Sequence, residues 1–190
     1  MRNLILFSIT VFLLCSGLTL NAQLNESFTD GDFTSNPAWS GETGKFEVVD
    51  PHNSGDGSVD ESWNDDGFML HSKADSSDAV LTTASNRTYG EWLFSIADAR
   101  GWDISSSNDF YIILMSNTND PALLKDGDKD FNGYYLRYDG DNGESFVLHK
   151  QTGTTSEVLA NTNFPAGDDG TASEAYSIKI TRNSEGFWKI

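Results

Sequence analysis

Short apolar blocks broken by turn residues run through the chain after Gln23, and no stretch there shows the periodicity of an amphipathic helix. The blocks alternate apolar and polar residues and end at Gly, Asn, Asp or Ser, which is typical of β-strands joined by turns. The eleven candidate strands are 24–28, 45–49, 67–72, 79–83, 90–97, 109–116, 133–139, 145–151, 157–160, 175–182 and 186–190. Eleven strands are many for one sheet, so we predict an all-β fold, a two-sheet antiparallel β-sandwich.

Alternation within the candidate strands assigns side chains to the core. The residues predicted to point inward are Trp92, Phe94, Ile96, Phe146, Leu148, Tyr176, Ile178 and Ile180. Strand 109–116 is apolar on both sides of its alternation, which favours a place in the middle of a sheet. In strand 133–139, Tyr135 and Arg137 alternate away from the face that carries Leu136 and Tyr138.

Residues 1–23 have the features of a secretory signal peptide that is removed after Ala22 or Gln23. Arg2 precedes an apolar run over residues 4–14, which is shorter than the ~20 residues of a membrane-spanning helix. We therefore expect one secreted or cell-surface domain over residues 24–190. The sequence ends within strand-like residues, so we also expect the last strands of the domain to be missing.

Charge and cysteine content exclude several kinds of function. Residues 24–190 contain no cysteine, so disulfides, zinc–thiolate sites and thiol nucleophiles are not expected. The chain has 29 acidic and 12 basic residues, a net charge of −17. Such a surface repels phosphate backbones and anionic lipid, so nucleic acid and membranes are not expected partners. Cations, neutral glycans and other proteins stay open as partners.

Two acidic segments are candidate calcium sites. The candidate ligands are Asp126, Asp128, Asp130 and Asn132, with Asp30 and Asp32 as a second pair. Oxygen donors on alternate residues suit calcium, but the residues after Gly133 alternate like a strand, which argues against a helical calcium loop. Two interpretations stay open for the first segment: a calcium loop on a β scaffold, or a solvated turn, because Asn-Gly is itself a turn signal.

Saccharide binding needs exposed aromatic rings together with groups that bond to hydroxyls. The candidate residues are Trp63, Trp102, Tyr135 and Arg137. Trp63 and Trp102 lie in loop-like sequence, whereas Tyr135 and Arg137 face away from the predicted core. The alternative is that Trp39 and Trp102 plug the ends of the sandwich, since tryptophan buries a large area.

The segment FTDGDFTSNPAWSGETGKFEVV, residues 28–49, resembles the opening of concanavalin A-like, laminin-G-like jelly-roll modules. Such modules begin large multidomain proteins that bacteria export by type IX secretion. The resemblance rests on Phe28, Asp30, Gly31, Asp32, Phe33, Asn36, Pro37, Trp39 and Gly41, and continues over most of the chain. It implies a jelly roll, but modules of this shape have diverse functions.

Some jelly rolls of this class are laminarinase-type glycoside hydrolases, which carry an E-x-D-x-x-E strand motif. No such carboxylate spacing occurs in this sequence, and its three histidines are scattered, so catalysis is not expected. We expect a secreted, non-catalytic binding or adhesion module for glycans or cell-surface proteins, in which bound calcium would be structural. The alternatives are a polysaccharide-acting hydrolase domain and a ligand-free structural spacer.

Overall fold

The computed structural model describes residues 24–35, 37–50, 68–73, 79–98, 110–125, 129–139, 145–162 and 174–190. The strands are β1 (Trp39–Gly41), β2 (Phe46–Val49), β3 (Met69–Ser72), β4 (Leu81–Thr83), β5 (Gly90–Asp98), β6 (Phe110–Ser116), β7 (Phe131–Asp139), β8 (Ser145–Gly153), β9 (Thr155–Asn161), β10 (Glu174–Arg182) and β11 (Trp188–Lys189). The helical elements are one 3-10 turn, Thr43–Lys45, and one four-residue helix, α1 (Pro121–Leu124). None of the helices in these ranges is long and apolar enough to cross a membrane.

The predicted all-β fold is confirmed, and ten candidate strands have counterparts in the structure. Two details of the prediction are wrong. Residues 24–28 form no strand, because the chain turns at Phe28, whose φ is +57° and whose carbonyl accepts the Gly31 N–H at 2.9 Å. Conversely, β1, which contains Trp39, has no counterpart among the candidate strands, because three residues ending in glycine carry no alternation that would identify a strand.

All described strand pairs are antiparallel. One sheet has the order β6-β7-β8-β9 and another the order β11-β10-β5, while β1 pairs with β4 and β2 with β3. The ladder between β7 and β8 is unbroken from Phe131↔Gly153 to Asp139↔Ser145. Strand β10 pairs along its whole length with β5, which lies far earlier in the chain. The register of these two long ladders decides which side chains meet between the sheets.

The main core lies between the four-stranded and three-stranded sheets. The side chains of Phe146, Leu148 and Ile180 are 0% exposed and that of Leu136 is 1% exposed. Around them pack Trp92, Phe94, Ile96 and Tyr176, as the alternation predicted. Burial of each large apolar side chain contributes ~1.5–3 kcal/mol, so this layer joins the two sheets as a sandwich.

A second, smaller cluster covers part of the outer face of the four-stranded sheet. It contains Leu124 of α1 together with Phe131 and Tyr135 of β7, and Ile113 packs against it. Among the described strands β6 pairs only with β7, and its place in the middle of a sheet stays a prediction. The strand is apolar on both sides because its inner side faces the main core and its outer side faces the second cluster.

Strand β9 forms the other edge of the four-stranded sheet, pairing only with β8 among the strands described. Its side chains are mostly exposed, including Val158 at 59% and Leu159 at 40%. A register shift between Leu148 and His149 accommodates the extra β9 residue.

Gly133 permits a close approach of β6 and β7. A Cβ atom at this position would lie 1.9 Å from the Met115 carbonyl oxygen. We predict that Gly133→Ala lowers the free energy of unfolding by at least ~2 kcal/mol, because backbone must move to admit the methyl group. Urea denaturation followed by circular dichroism would measure this loss.

Gly44→Ala is the matched control, because a Cβ at Gly44 would meet no atom within 4 Å. That variant should stay within ~0.5 kcal/mol of the wild type. Equal urea midpoints for the Gly133 variant and the wild type would show that the strands approach less closely than described.

Candidate functional site

The inner face of the four-stranded sheet changes from apolar to polar along its length. The inner positions of β7 are Tyr138, Leu136, Tyr134 and Asn132, and those paired with them on β8 are Phe146, Leu148, Lys150 and Thr152. The first two positions on each strand are buried in the main core, Tyr134 is half-buried, and the last positions are exposed. The same sheet face is therefore buried in the core at one end and exposed to solvent at the other.

An open depression of about 590 Å³ lies where this face leaves the core. The described residues that line it are Met115, Ser116, Asn117, Asn132, Gly133, Tyr134, Lys150, Gln151 and Thr152. They come from β6, β7 and β8 and from the residue after β6. The lining thus combines an aromatic ring with amide, hydroxyl and ammonium groups.

Hydrogen bonds fix the two asparagines of the depression. The Asn132 backbone N–H donates to Asn117 Oδ1 at 2.7 Å, and the Asn117 N–H donates to the Asn132 carbonyl at 3.1 Å. Asn132 Oδ1 in turn accepts the Gly153 N–H at 3.2 Å. These bonds hold the start of β7 against the end of β6 and against the end of β8. The side-chain NH2 groups of the two asparagines keep their capacity to donate hydrogen bonds.

A row of contacting aromatic rings extends from the core to the depression. Trp92 stacks on Trp188 with ring centroids 5.6 Å apart, and the Trp188 ring lies 4.9 Å from that of Tyr134. The Arg182 guanidinium carbon lies 5.4 Å from the Tyr134 ring and 5.5 Å from the Trp188 ring. Arg182 Nη1 also donates to the Thr88 carbonyl. The Tyr134 ring thus contacts both a packed tryptophan and an anchored cation.

The expectation that Tyr135 offers an exposed ring is wrong, because its side chain is 3% exposed. Its ring stacks parallel on His149 with centroids 4.7 Å apart, and its hydroxyl lies 2.8 Å from Ser156 Oγ. The second cluster covers this part of the outer face. Arg137 is half-buried on the same outer face, with its guanidinium carbon 5.8 Å from the Tyr111 ring. Both residues lie on the sheet face opposite the depression.

The first candidate calcium segment is described only in part. Asp126 and Asp128 lie outside the described residues, as do the candidate saccharide ligands Trp63 and Trp102. Asp130 is exposed just before β7, and its N–H donates to the Leu123 carbonyl at 3.0 Å. Within the described ranges, no three His, Cys, Asp or Glu side chains come together as a metal site. Calcium binding by this segment stays a prediction.

Asp30 and Asp32, the second candidate pair, form successive turns. Asp30 Oδ1 accepts the Asp32 N–H at 3.1 Å, and Asp32 Oδ1 accepts the N–H and hydroxyl of Thr34, both at 2.7 Å. Asp32 Oδ2 accepts the Ser35 hydroxyl. The Ser35 bond, followed by those from Thr34, lowers the pKa of Asp32 from 3.8 to about 2. These bonds give both carboxylates a role in the turn, and metal binding by them stays a prediction.

Sequence reasoning did not assign Tyr134, Lys150 and Thr152 to a site. The signal was present in strand 145–151, where Phe146 and Leu148 were assigned to the core. Continuing the same alternation places Lys150 on the core face, and a lysine there marks the point at which that face meets solvent. Asn117 gives no such signal, because its position beside Asn132 depends on the pairing of β6 with β7.

Comparison of the chain with protein-family models, with curated proteins and with solved structures gave no match.

The pKa of Asp32 predicts a pH-dependent contribution to stability. Because folding lowers this pKa, the contribution is fully present above pH ~4 and is lost as the pH falls toward 2. Asp32→Asn should therefore lower the melting temperature at pH 6, with a difference from wild type that shrinks between pH 4 and pH 2. Thermal unfolding at several pH values measures this difference. Glu185→Gln, in the exposed turn before β11, is the control, and a pH-independent difference for the Asp32 variant would contradict the assignment.

Calcium binding at the first segment is tested by thermal unfolding in EDTA and then in millimolar calcium. A calcium loop predicts a rise of roughly 5–10 °C at a calcium concentration about 100 times the dissociation constant, because the ion binds only the native state. The rise should disappear in the double variant Asp128→Ala, Asp130→Ala. Equal melting temperatures in EDTA and calcium would identify the segment as a solvated turn.

Proposed function

We propose that the chain is a secreted, non-catalytic β-sandwich module that binds glycans at the depression. The observation that carries this proposal is the fixed Tyr134 ring beside the side chains of Asn117, Asn132 and Thr152 around an open space. Aromatic rings stack on the apolar faces of sugars, whereas amide and hydroxyl groups bond to sugar hydroxyls. Both kinds of group occur together in this lining.

The dimensions of the depression support the same function. Its volume of about 590 Å³ falls within the range of ~300–1,000 Å³ that is usual for small-molecule sites. Its open form suits the end or a short stretch of a saccharide chain. The hydrogen bonds of the Asn132 backbone and side chain, together with the contact of the Tyr134 ring with Trp188, fix the rim before a ligand arrives. A rigid rim loses little conformational entropy on binding.

The cellular setting is part of the proposal. The signal-peptide features of residues 1–23 support export, and the resemblance of residues 28–49 to jelly-roll modules of type IX-secreted proteins supports a place in a larger surface protein. In such a protein, a glycan-binding sandwich would serve attachment to polysaccharide or to another cell surface. We propose the jelly-roll topology on the same resemblance.

A glycan array followed by titration calorimetry tests the function. We predict that Tyr134→Leu weakens binding of the best glycan by roughly tenfold, because the stacking surface is lost. Tyr89→Leu, which changes an exposed tyrosine outside the lining, should leave the affinity unchanged. Melting temperatures of both variants establish that they are folded.

Four outcomes separate the alternatives. Binding that depends on Tyr134 supports the glycan-binding module. Absence of binding to every glycan on the array would favour the structural spacer, and binding that is unchanged in Tyr134→Leu would remove the depression as the site. Release of reducing sugar from polysaccharides by the wild-type protein would favour the hydrolase.

A further inference from the structure

Lys150 brings a positive charge to the depression of a protein with net charge −17. The side chain is exposed on the inner face of β8, and the described residues offer it no hydrogen bond or ion pair. We propose that the depression selects saccharides that carry a carboxylate or sulfate group, and that the Lys150 ammonium binds this anion. The inference rests on the proposed glycan-binding function and specifies its ligand class.

The pairing of β7 with β8 places the cation beside the aromatic ring. Tyr134 and Lys150 are directly opposite in the ladder and share the inner face. Side chains opposite each other in an antiparallel pair have Cβ atoms ~5 Å apart, about the width of one sugar ring. A residue that stacks on Tyr134 can therefore present a carboxylate or sulfate to Lys150. An acidic saccharide uses both groups, whereas an inorganic anion uses only the cation.

The charges in and beside the lining agree with this selection. Arg182, which is not among the described lining residues, adds a second positive charge 5.4 Å from the Tyr134 ring. Among the described lining residues, none is Asp or Glu, although acidic residues greatly outnumber basic ones in the chain. An anion entering the depression thus meets the positive charge of Lys150 and no carboxylate among the described lining residues, although the net charge of the chain is negative.

Glu157 is the nearest opposing charge in the strand pairing. It lies opposite Lys150 on β9, in the register Lys150↔Glu157, and so on the same face of the sheet. It is exposed and forms no ion pair with Lys150 in the described structure. Its carboxylate competes with an anionic ligand for the ammonium group. Removal of Glu157 should therefore strengthen the binding of acidic saccharides, the opposite of the effect of removing Lys150.

The test uses an array of oligouronates, their carboxyl-reduced neutral counterparts and sulfated oligosaccharides. Wild-type protein should bind the acidic members on the order of tenfold more tightly than the neutral ones, as expected of one charge-assisted hydrogen bond. Lys150→Gln should abolish this preference, and Lys150→Arg should retain most of it.

Glu157→Gln should raise the affinity for acidic members about threefold, the effect of one exposed charge. Uronate and sulfate members distinguish the two anionic groups.

Lys179→Gln is the matched control, because it removes the same charge from an exposed lysine that pairs with Glu91 outside the depression. Equal binding of acidic and carboxyl-reduced members, or equal effects of the Lys150 and Lys179 variants, would overturn the inference and leave the glycan-binding function standing. Binding of no saccharide would overturn the function together with the inference. Binding of acidic peptides in preference to acidic saccharides would also overturn the assignment of the ligand class.

Discussion

Burial of side chains between two sheets is the constraint on which the rest of this structure depends. Residues 24–190 contain no cysteine, so no disulfide can hold the sheets together. Leu136 and Phe146 from one sheet and Ile180 from the other form the centre of the contact. Trp92 and Trp188 extend this packing sideways to Tyr134. The packing of the core therefore holds the Tyr134 ring in place at the depression. A variant that loosens the core should also increase the mobility of this ring.

The same two strands supply both the core and the candidate site. Along β7 and β8, one sheet face is apolar toward one end and polar toward the other, so a single register determines both. A slip of one residue would move Lys150 and Tyr134 to the outer face, together with the apolar residues of the core. Burial of Phe146 and Leu148 opposes such a slip, because it would expose both side chains. The hydrophobic core thus specifies the chemistry of the depression as well as the stability of the sandwich.

Local patterns predicted the parts of the structure that depend on local geometry. The period of two residues in a strand identified the inward side of β10, because Ile178 and Ile180 follow from alternation alone. The burial of Tyr135 could not be predicted in this way, because the side chains that bury it, Leu124 and Phe131, belong to the second cluster. The position of Lys150 on the inner face could be predicted from alternation. The contact of Asn117 with Asn132 could not, because it depends on how β6 pairs with β7. Pairing between strands far apart in sequence is the information that a single sequence lacks.

Strand β9 has a consequence for the behaviour of the protein at high concentration. It pairs on one side only among the described strands, and Val158 and Leu159 are exposed. Unpaired strand edges of this kind can recruit a second chain and start aggregation. Two copies of a chain with net charge −17 repel each other, and Glu157 places a carboxylate within the exposed strand itself. Colloidal stability therefore depends on electrostatic repulsion, and the protein should become more prone to precipitate as salt screens its charge or as acid neutralises it.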